Sequence, residues 1–265
     1  MSMSVMPKAN HVCRYGASPM TEAIESATPL RIGLVQCGHV HPDLVPEHGD
    51  YPQLFADLLA PHGLAFTTFD VDHGQFPQDL TAFDGWIITG SANSAYEDLP
   101  WIHQTEDLLR ELIAEEAPMV AVCFGHQLLA QAMGGRVAKS PDGWGAGVHD
   151  YQLVGEPPPW MDHPVPSSVR IIASHQDQVA VVPEGAIVLA RTDHCPIAAY
   201  TLGSSAFAIQ PHPEFTAAVS RGLAERRRDR IGPETSDAAL ASLSQPLDRD
   251  LVAGWMAGFL RYAQP

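Results

Sequence analysis

Cationic residues are scarce in this chain. Lys and Arg number 15 against 31 Asp and Glu in 265 residues, a net charge of −16. A surface of that sign repels phosphate backbones and anionic headgroups, so neither nucleic acid nor a membrane surface is an expected partner. Long apolar runs are missing as well. No stretch approaches the roughly 20 residues of a membrane span. The first 28 residues lack the apolar core of a secretory signal. Cysteine is sparse: Cys13, Cys37, Cys123 and Cys195 are scattered, with no C-x-x-C pair. That argues against a disulfide framework or a thiolate zinc site and makes a reducing cytoplasm the expected compartment. There is no G-x-x-x-x-G-K-[ST] phosphate loop, no internal repeat and no extended low-complexity tract.

What remains is 45% hydrophobic and long enough for one α/β domain with additions. Residues 1–28 show no periodicity and read as a disordered extension. Residues 29–265 read as the domain. Leu30 to Cys37 is an apolar, β-prone run. Asp50 to Ala60 has helical spacing, with Asp50 placed to cap it and Leu54, Phe55, Leu58 and Leu59 on one face. Leu64 to Val71, Trp86 to Thr89 and Met119 to Val122 are further strands. Ile102 to Glu116 is an amphipathic helix with Leu108, Leu109, Leu112 and Ile113 inward. Strand, helix and strand joined by short links predict a mostly parallel open sheet covered by helices on both faces. Val179 to Val182, Ala186 to Ala190 and Ala198 to Tyr200 read as antiparallel strands at its side. Phe215 to Ile231 and Leu247 to Ala263 read as helices, and Arg226-Arg-Arg-Asp-Arg230 most simply as a solvated helix face.

The sharpest feature is Val122-Cys-Phe-Gly-His-Gln127. A buried strand runs into Cys123, and a helical pattern begins at once. A nucleophile on such a corner stands clear of the sheet, at a helix N-terminus whose dipole favours thiolate. The next N–H, that of Phe124, is left free to face an oxyanion. A plain core cysteine is the competing reading. A thiol nucleophile needs a base and a group to orient that base. His212, after the strand Phe207 to Gln210, and Glu214 supply both in Gln210-Pro-His-Pro-Glu214. A surface ion pair would explain a lone His-x-Glu equally well. His39 and His41 could share an ion, but no carboxylate or thiolate cluster completes a site locally, and no metal is expected.

Together, Val122 to Gln127 and Gln210 to Glu214, with the spacing between them, resemble the class I (triad) glutamine amidotransferase domain. The resemblance runs from about Leu30 to Phe215. It implies a flavodoxin-like α/β fold with a small antiparallel side sheet, and a triad of Cys123, His212 and Glu214. Thr89-Gly-Ser-Ala-Asn-Ser-Ala-Tyr96 looks like the oxyanion loop, with Gly90 or Ser91 joining Phe124 as donors. Gln127, His175 and Asp177 are the implied contacts to the amino-acid end of a glutamine or γ-glutamyl substrate. The implied half-reaction needs no metal or organic cofactor. Two departures stand out. Ala121 occupies a position where the family usually has Gly, and Ser91-Ala92 replaces a common Gly-Pro, so the oxyanion loop could be oriented differently.

Three functions are compatible with this pattern. The loop and the Ser174-His-Gln-Asp177 segment look like the γ-glutamyl peptidase and stand-alone GMP synthase-like branch, which implies a free-standing γ-glutamyl hydrolase. The second is a glutaminase subunit feeding ammonia to a separate synthase partner. The third is a non-catalytic binding or regulatory protein with an idle triad. A subunit should expose an apolar patch round the crevice mouth.

Overall fold

The computed structural model describes residues 28–264, so the expected extension over residues 1–28, with Cys13, lies outside the described residues save for its last position. Eleven described strands run in chain order: β1 Leu30–Gln36, β2 Leu64–Asp70, β3 Gly85–Ile88, β4 Met119–Val122, β5 Arg136–Lys139, β6 Gly145–Leu153, β7 Ser168–His175, β8 Asp177–Val181, β9 Ala186–Arg191, β10 Ala199–Leu202 and β11 Ala206–Ile209. The helices are α1 Val45–His48, α2 Tyr51–Leu59, α3 Pro100–Ala114, α4 Phe124–Ala132, α5 Ala217–Arg226, α6 Arg228–Ile231, α7 Pro233–Ser242 and α8 Arg249–Tyr262.

Nine strands form one sheet in the order β2-β1-β3-β4-β11-β10-β9-β6-β7. The first five are mutually parallel. The remaining four continue it antiparallel. Alternation along β4 divides the core. Val120 and Val122 join the cluster that holds Leu54, Phe55, Met256 and Phe259, so α2 and α8 cover that face. Met119 and Ala121 join the cluster of Leu109, Leu112, Leu128 and Leu129, so α3 and α4 cover the other. Ala121 is fully buried there, and the corner closes with alanine in place of glycine.

The antiparallel half curls back on itself. The N–H of His212, just past β11, donates to Ile172 O of β7 at 2.8 Å, an isolated antiparallel bridge. The last strand of the sheet thus returns to the middle one and encloses an apolar interior that includes Tyr151, Ile171 and Phe207. No described helix is long and apolar enough to cross a membrane.

The outline expected from sequence holds, with four corrections. β8 leaves the side strands and pairs with β5 in the small two-stranded sheet, while β9 and β10 extend the main one. Pro141 to Gly147, whose proline and glycines alone predict a loop, gives way to β6 at Gly145, which pairs with His175 as Ala146 and Gly147 pair with Ser174 and Ala173. The expected helix over residues 215–231 breaks at Arg227 into α5 and α6. Helix α7 was not expected: its apolar periodicity is weak, and Ser236 and Ala239 are its buried residues.

Candidate active site

Strand β4 ends at Val122, and Cys123 takes φ 53° and ψ −102° before α4 begins. A positive φ on a residue with a Cβ is strained, and such strain gathers at functional corners. The tightness of the corner depends on Gly125. A Cβ there would lie 2.7 Å from Ile88 O, so any larger residue would push α4 off β3. Gly125 N–H is taken by Thr89 O at 3.2 Å. The Phe124 N–H, first in the helix, has no intrahelical acceptor.

His212 and Glu214 arrive from the carboxyl end of β11, beside β4. His212 Nδ1 donates to Glu214 Oε1 at 2.6 Å. Both side chains are buried, Glu214 completely. The ring stacks on Phe215, centroids 4.1 Å apart and planes 1° from parallel. Burial works against its charge, but the Cys123 thiolate, the Glu214 carboxylate and hydrogen bonds to both outweigh it and raise the imidazole to about 10. Arg249, at the start of α8, holds the backbone of the loop: Nε donates to Pro213 O at 2.7 Å and Nη2 to Glu214 O at 3.1 Å. The described cysteines divide sharply. Cys37 and Cys195 are buried thiols pushed upward chiefly by burial, Cys195 to about 12. Cys123 lines a cavity of about 210 Å³.

Of the other expected residues, Ser91, Gln127, His175 and Asp177 line that cavity, and Gly90, Phe124, His212 and Glu214 lie behind its lining. Gly90 lies against His212, since a Cβ there would meet His212 Cε1 at 3.0 Å and Tyr51 Oη at 2.9 Å. Ser91 lines the cavity. Its Oγ accepts Asn93 N–H at 3.2 Å, and Asn93 Nδ2 donates to Glu97 Oε2 at 2.8 Å. Gln127 lines it too, its amide nitrogen committed to Asp177 O at 2.7 Å and Gln210 Oε1 at 3.1 Å. Its amide oxygen is the acceptor left for a ligand. Asp177 accepts from Tyr96 Oη at 3.1 Å, which ties the Gly90 loop to β8. His175 also borders the cavity, but its Nδ1–H is spent on Asp177 O at 3.0 Å.

Burial lowers both His175 and His126 to about 3 and keeps them neutral in the fold. Unfolding frees two imidazoles that titrate near 6.5, so between roughly pH 3 and 6.5 the unfolded chain binds more protons. Their contribution is full above pH 6.5 and drains as pH falls towards 3, at up to about 2.7 kcal/mol per pH unit for the two groups. Urea midpoints should therefore drop steeply from pH 7 to pH 4.5. Equal midpoints at the two pH values would show that these rings are already charged in the fold.

Sequence reading missed the cations. The cluster stays largely solvated, with Arg226, Asp229 and Arg230 exposed, but the break at Arg227 brings Arg227 and Arg230 to the cavity wall with Lys139. Arg227 Nη1 donates to Ser174 Oγ at 3.0 Å, and the Arg230 guanidinium sits 5.1 Å from the Trp144 ring centroid. The available signal was density: four of the chain's 15 cations fall between Arg226 and Arg230.

Residues 47–223 match the family model "Glutamine amidotransferase class-I". The chain belongs to that family. As a member it is a class I glutamine amidotransferase-like hydrolase. It is 33% identical to γ-glutamyl peptidase 4 of Arabidopsis thaliana over 68% of this chain and 73% of that one. It is 31% identical to one subunit of the glutamine-hydrolysing GMP synthase of Halobacterium salinarum, over 64% of this chain and 87% of that one. A glutamine amidotransferase structure from Thermotoga maritima superposes with a TM-score of 0.72 at 19% identity, over 90% of this chain and all of that one, and supports the fold.

Proposed function

We propose that this protein hydrolyses γ-glutamyl amides or peptides on its own, through a γ-glutamyl thioester on Cys123. The supporting geometry is the buried His212–Glu214 pair beside a cysteine at a cavity. His212 holds the proton taken from the thiol, and sulfur attacks the γ-carbonyl carbon. The carbonyl electron pair moves to oxygen, which faces the N–H groups of Phe124 and of Gly90 or Ser91. Collapse of this adduct breaks the C–N bond, and His212 returns the proton to the leaving nitrogen. Water then attacks the thioester, with His212 as base, and glutamate departs. Gln127 Oε1 and Asp177 are placed to accept from the substrate ammonium. The reaction as written needs no cofactor.

The observation that favours a peptide over free glutamine is the surplus of cations. One positive group suffices for the glutamyl carboxylate, and the cavity has Lys139, Arg227 and Arg230 against the carboxylates of Glu97 and Asp177. Ammonia, the leaving group from glutamine, has no use for the others. The carboxylate of a peptide leaving group does, and a charge-assisted hydrogen bond to it contributes about 1.5–3 kcal/mol. Arg230→Gln should thus raise KM for γ-glutamyl peptides by roughly 10-fold or more and leave glutamine kinetics nearly unchanged. Equal losses on both substrates would place Arg230 at the glutamyl end instead.

The likeness to a GMP synthase component favours a second reading, a glutaminase subunit delivering ammonia to a separate synthase. Purified protein would then be silent on every γ-glutamyl compound, though a glutamine-like electrophile would still label Cys123. The exposed large apolar side chains among the described residues are Tyr96, Val181, Ile187 and Tyr262. Of these, Tyr96 reaches the cavity wall, through Asp177.

A further inference from the structure

Four side chains at the carboxyl ends of β1 and β2 converge on one point and take no part in the chemistry above. His39 follows β1. Asp70 is the last residue of β2, and Asp72 and His73 lie in the single turn Val71–His73 that follows it. His39 Nε2 is 3.4 Å from His73 Nδ1, 3.5 Å from Asp70 Oδ1 and 3.5 Å from Asp72 Oδ1. His73 Nδ1 is 3.2 Å from Asp70 Oδ1 and 2.7 Å from Asp72 Oδ1. Four donors at about 2.0–2.1 Å from a tetrahedral ion stand about 3.3–3.4 Å from one another. The observed separations, 2.7 to 3.5 Å, bracket that edge.

The tautomer of His39 agrees. Its Nδ1 lies 2.6 Å from Asp50 Oδ2, a contact that puts the proton on Nδ1 and leaves Nε2 with a lone pair aimed into the group. Asp50 is itself fixed by Gln36 Nε2 at 2.8 Å and by the N–H groups of Val40 at 2.8 Å and Tyr51 at 2.9 Å. A carboxylate that orients a ligating imidazole from behind is the usual outer support of a metal site. Asp72 Oδ1, for its part, is a buried atom without a hydrogen bond: His73 Nδ1 is near it but not in line. Acceptors are thus packed together with too few donors between them.

We infer that His39, Asp70, Asp72 and His73 bind a divalent transition-metal ion of the zinc type. Two carboxylates neutralise a dication, and two imidazoles disfavour the all-oxygen ions magnesium and calcium. The ion fastens the turn after β2 to the loop after β1. That loop backs the active site: a Cβ on Gly38 would lie 2.9 Å from Ser91 Oγ, and Cys37 N–H donates to Thr89 Oγ1 at 3.0 Å. The ion is a brace for these segments and stands apart from the reacting atoms.

The test uses metal-stripped full chain carrying Cys123→Ser, which removes the competing thiol. Equilibrium dialysis against Zn²⁺, read by elemental analysis, should show one equivalent per chain. His39→Ala and Asp72→Asn should each weaken it at least 100-fold. His149→Ala, in the separate group of His149, His175 and His194 rings, should retain it. Co²⁺ should give the intense visible bands of a tetrahedral site, and Zn²⁺ should raise the Tm of the parent but of neither ligand variant. Absence of a bound equivalent, an equivalent that survives both ligand substitutions, or the weak spectrum of octahedral Co²⁺ would each overturn the assignment. Loss of binding in a variant counts only if its metal-free circular dichroism matches that of the metal-free parent.

Discussion

Cys123→Ala should lower turnover of a γ-glutamyl peptide by about 10⁴-fold or more while leaving the fold intact. The size follows from covalent chemistry: without sulfur no thioester forms, and the cavity retains only binding and oxyanion contacts. The intact fold follows from the backbone. Alanine keeps the Cβ, so the φ of 53° costs it what it costs cysteine. Cys123→Gly separates strain from reactivity. A positive φ outside the ordinary regions costs an L-residue on the order of 1–3 kcal/mol, which offsets the entropy that glycine loses on folding. The glycine variant should be equally inactive yet melt no lower than the alanine variant. Ammonia or amine release and a thermal melt read the two quantities separately. Residual turnover within 100-fold of wild type would remove Cys123 from the mechanism.

Glu214→Gln should cost about 10³ to 10⁴-fold in kcat/KM and shift the alkaline limb of its pH profile downward. The carboxylate is fully buried, and its Oε1 holds His212 Nδ1 at 2.6 Å. Glutamine has the same size and can turn its oxygen to the same proton, but it offers imidazolium no charge. Burial, which disfavours the charged ring, then meets less opposition. Wild-type activity should decline as pH rises through about 10, where the ring loses its proton. The stability sign agrees. A folded value above the ordinary 6.5 contributes stability in full below pH 6.5, and that contribution is lost as pH rises through 10. In the variant both the limb and this loss should occur at lower pH. An unmoved limb would mean that Glu214 places the ring without holding its charge.

The parallel half of the fold was legible because its signals are local. A four-residue apolar strand, a cysteine at a helix start and an amphipathic helix are each readable within about 15 residues. The grouping of Cys123, His212 and Glu214 in one candidate site was legible because residue type and spacing both carry chemistry. Gly145 to Leu153 was obscure because its pairing with β7 is set by partners more than 15 residues away, and its glycines mimic a loop. Arg227 and Arg230 were misjudged for a different reason: helical periodicity assigns a face only while the axis is continuous, and the axis breaks between them and α5. His39 looked for its partners in His41, two residues away. In the fold His41 turns towards Asp43, 3.8 Å off, and the side chains that meet His39 come from the end of the neighbouring strand.

The grip of Arg249 on the Pro213 and Glu214 carbonyls also has a bearing on the order in which the protein is made. Glu214 precedes that clamp by 35 residues. A nascent chain therefore carries Cys123, His212 and Glu214 well before it carries Arg249. Translation stalled between them yields a loop held by the bridge from His212 to Ile172 but without its second clamp. Docking of α8 adds the last hold on the segment that carries His212 and Glu214.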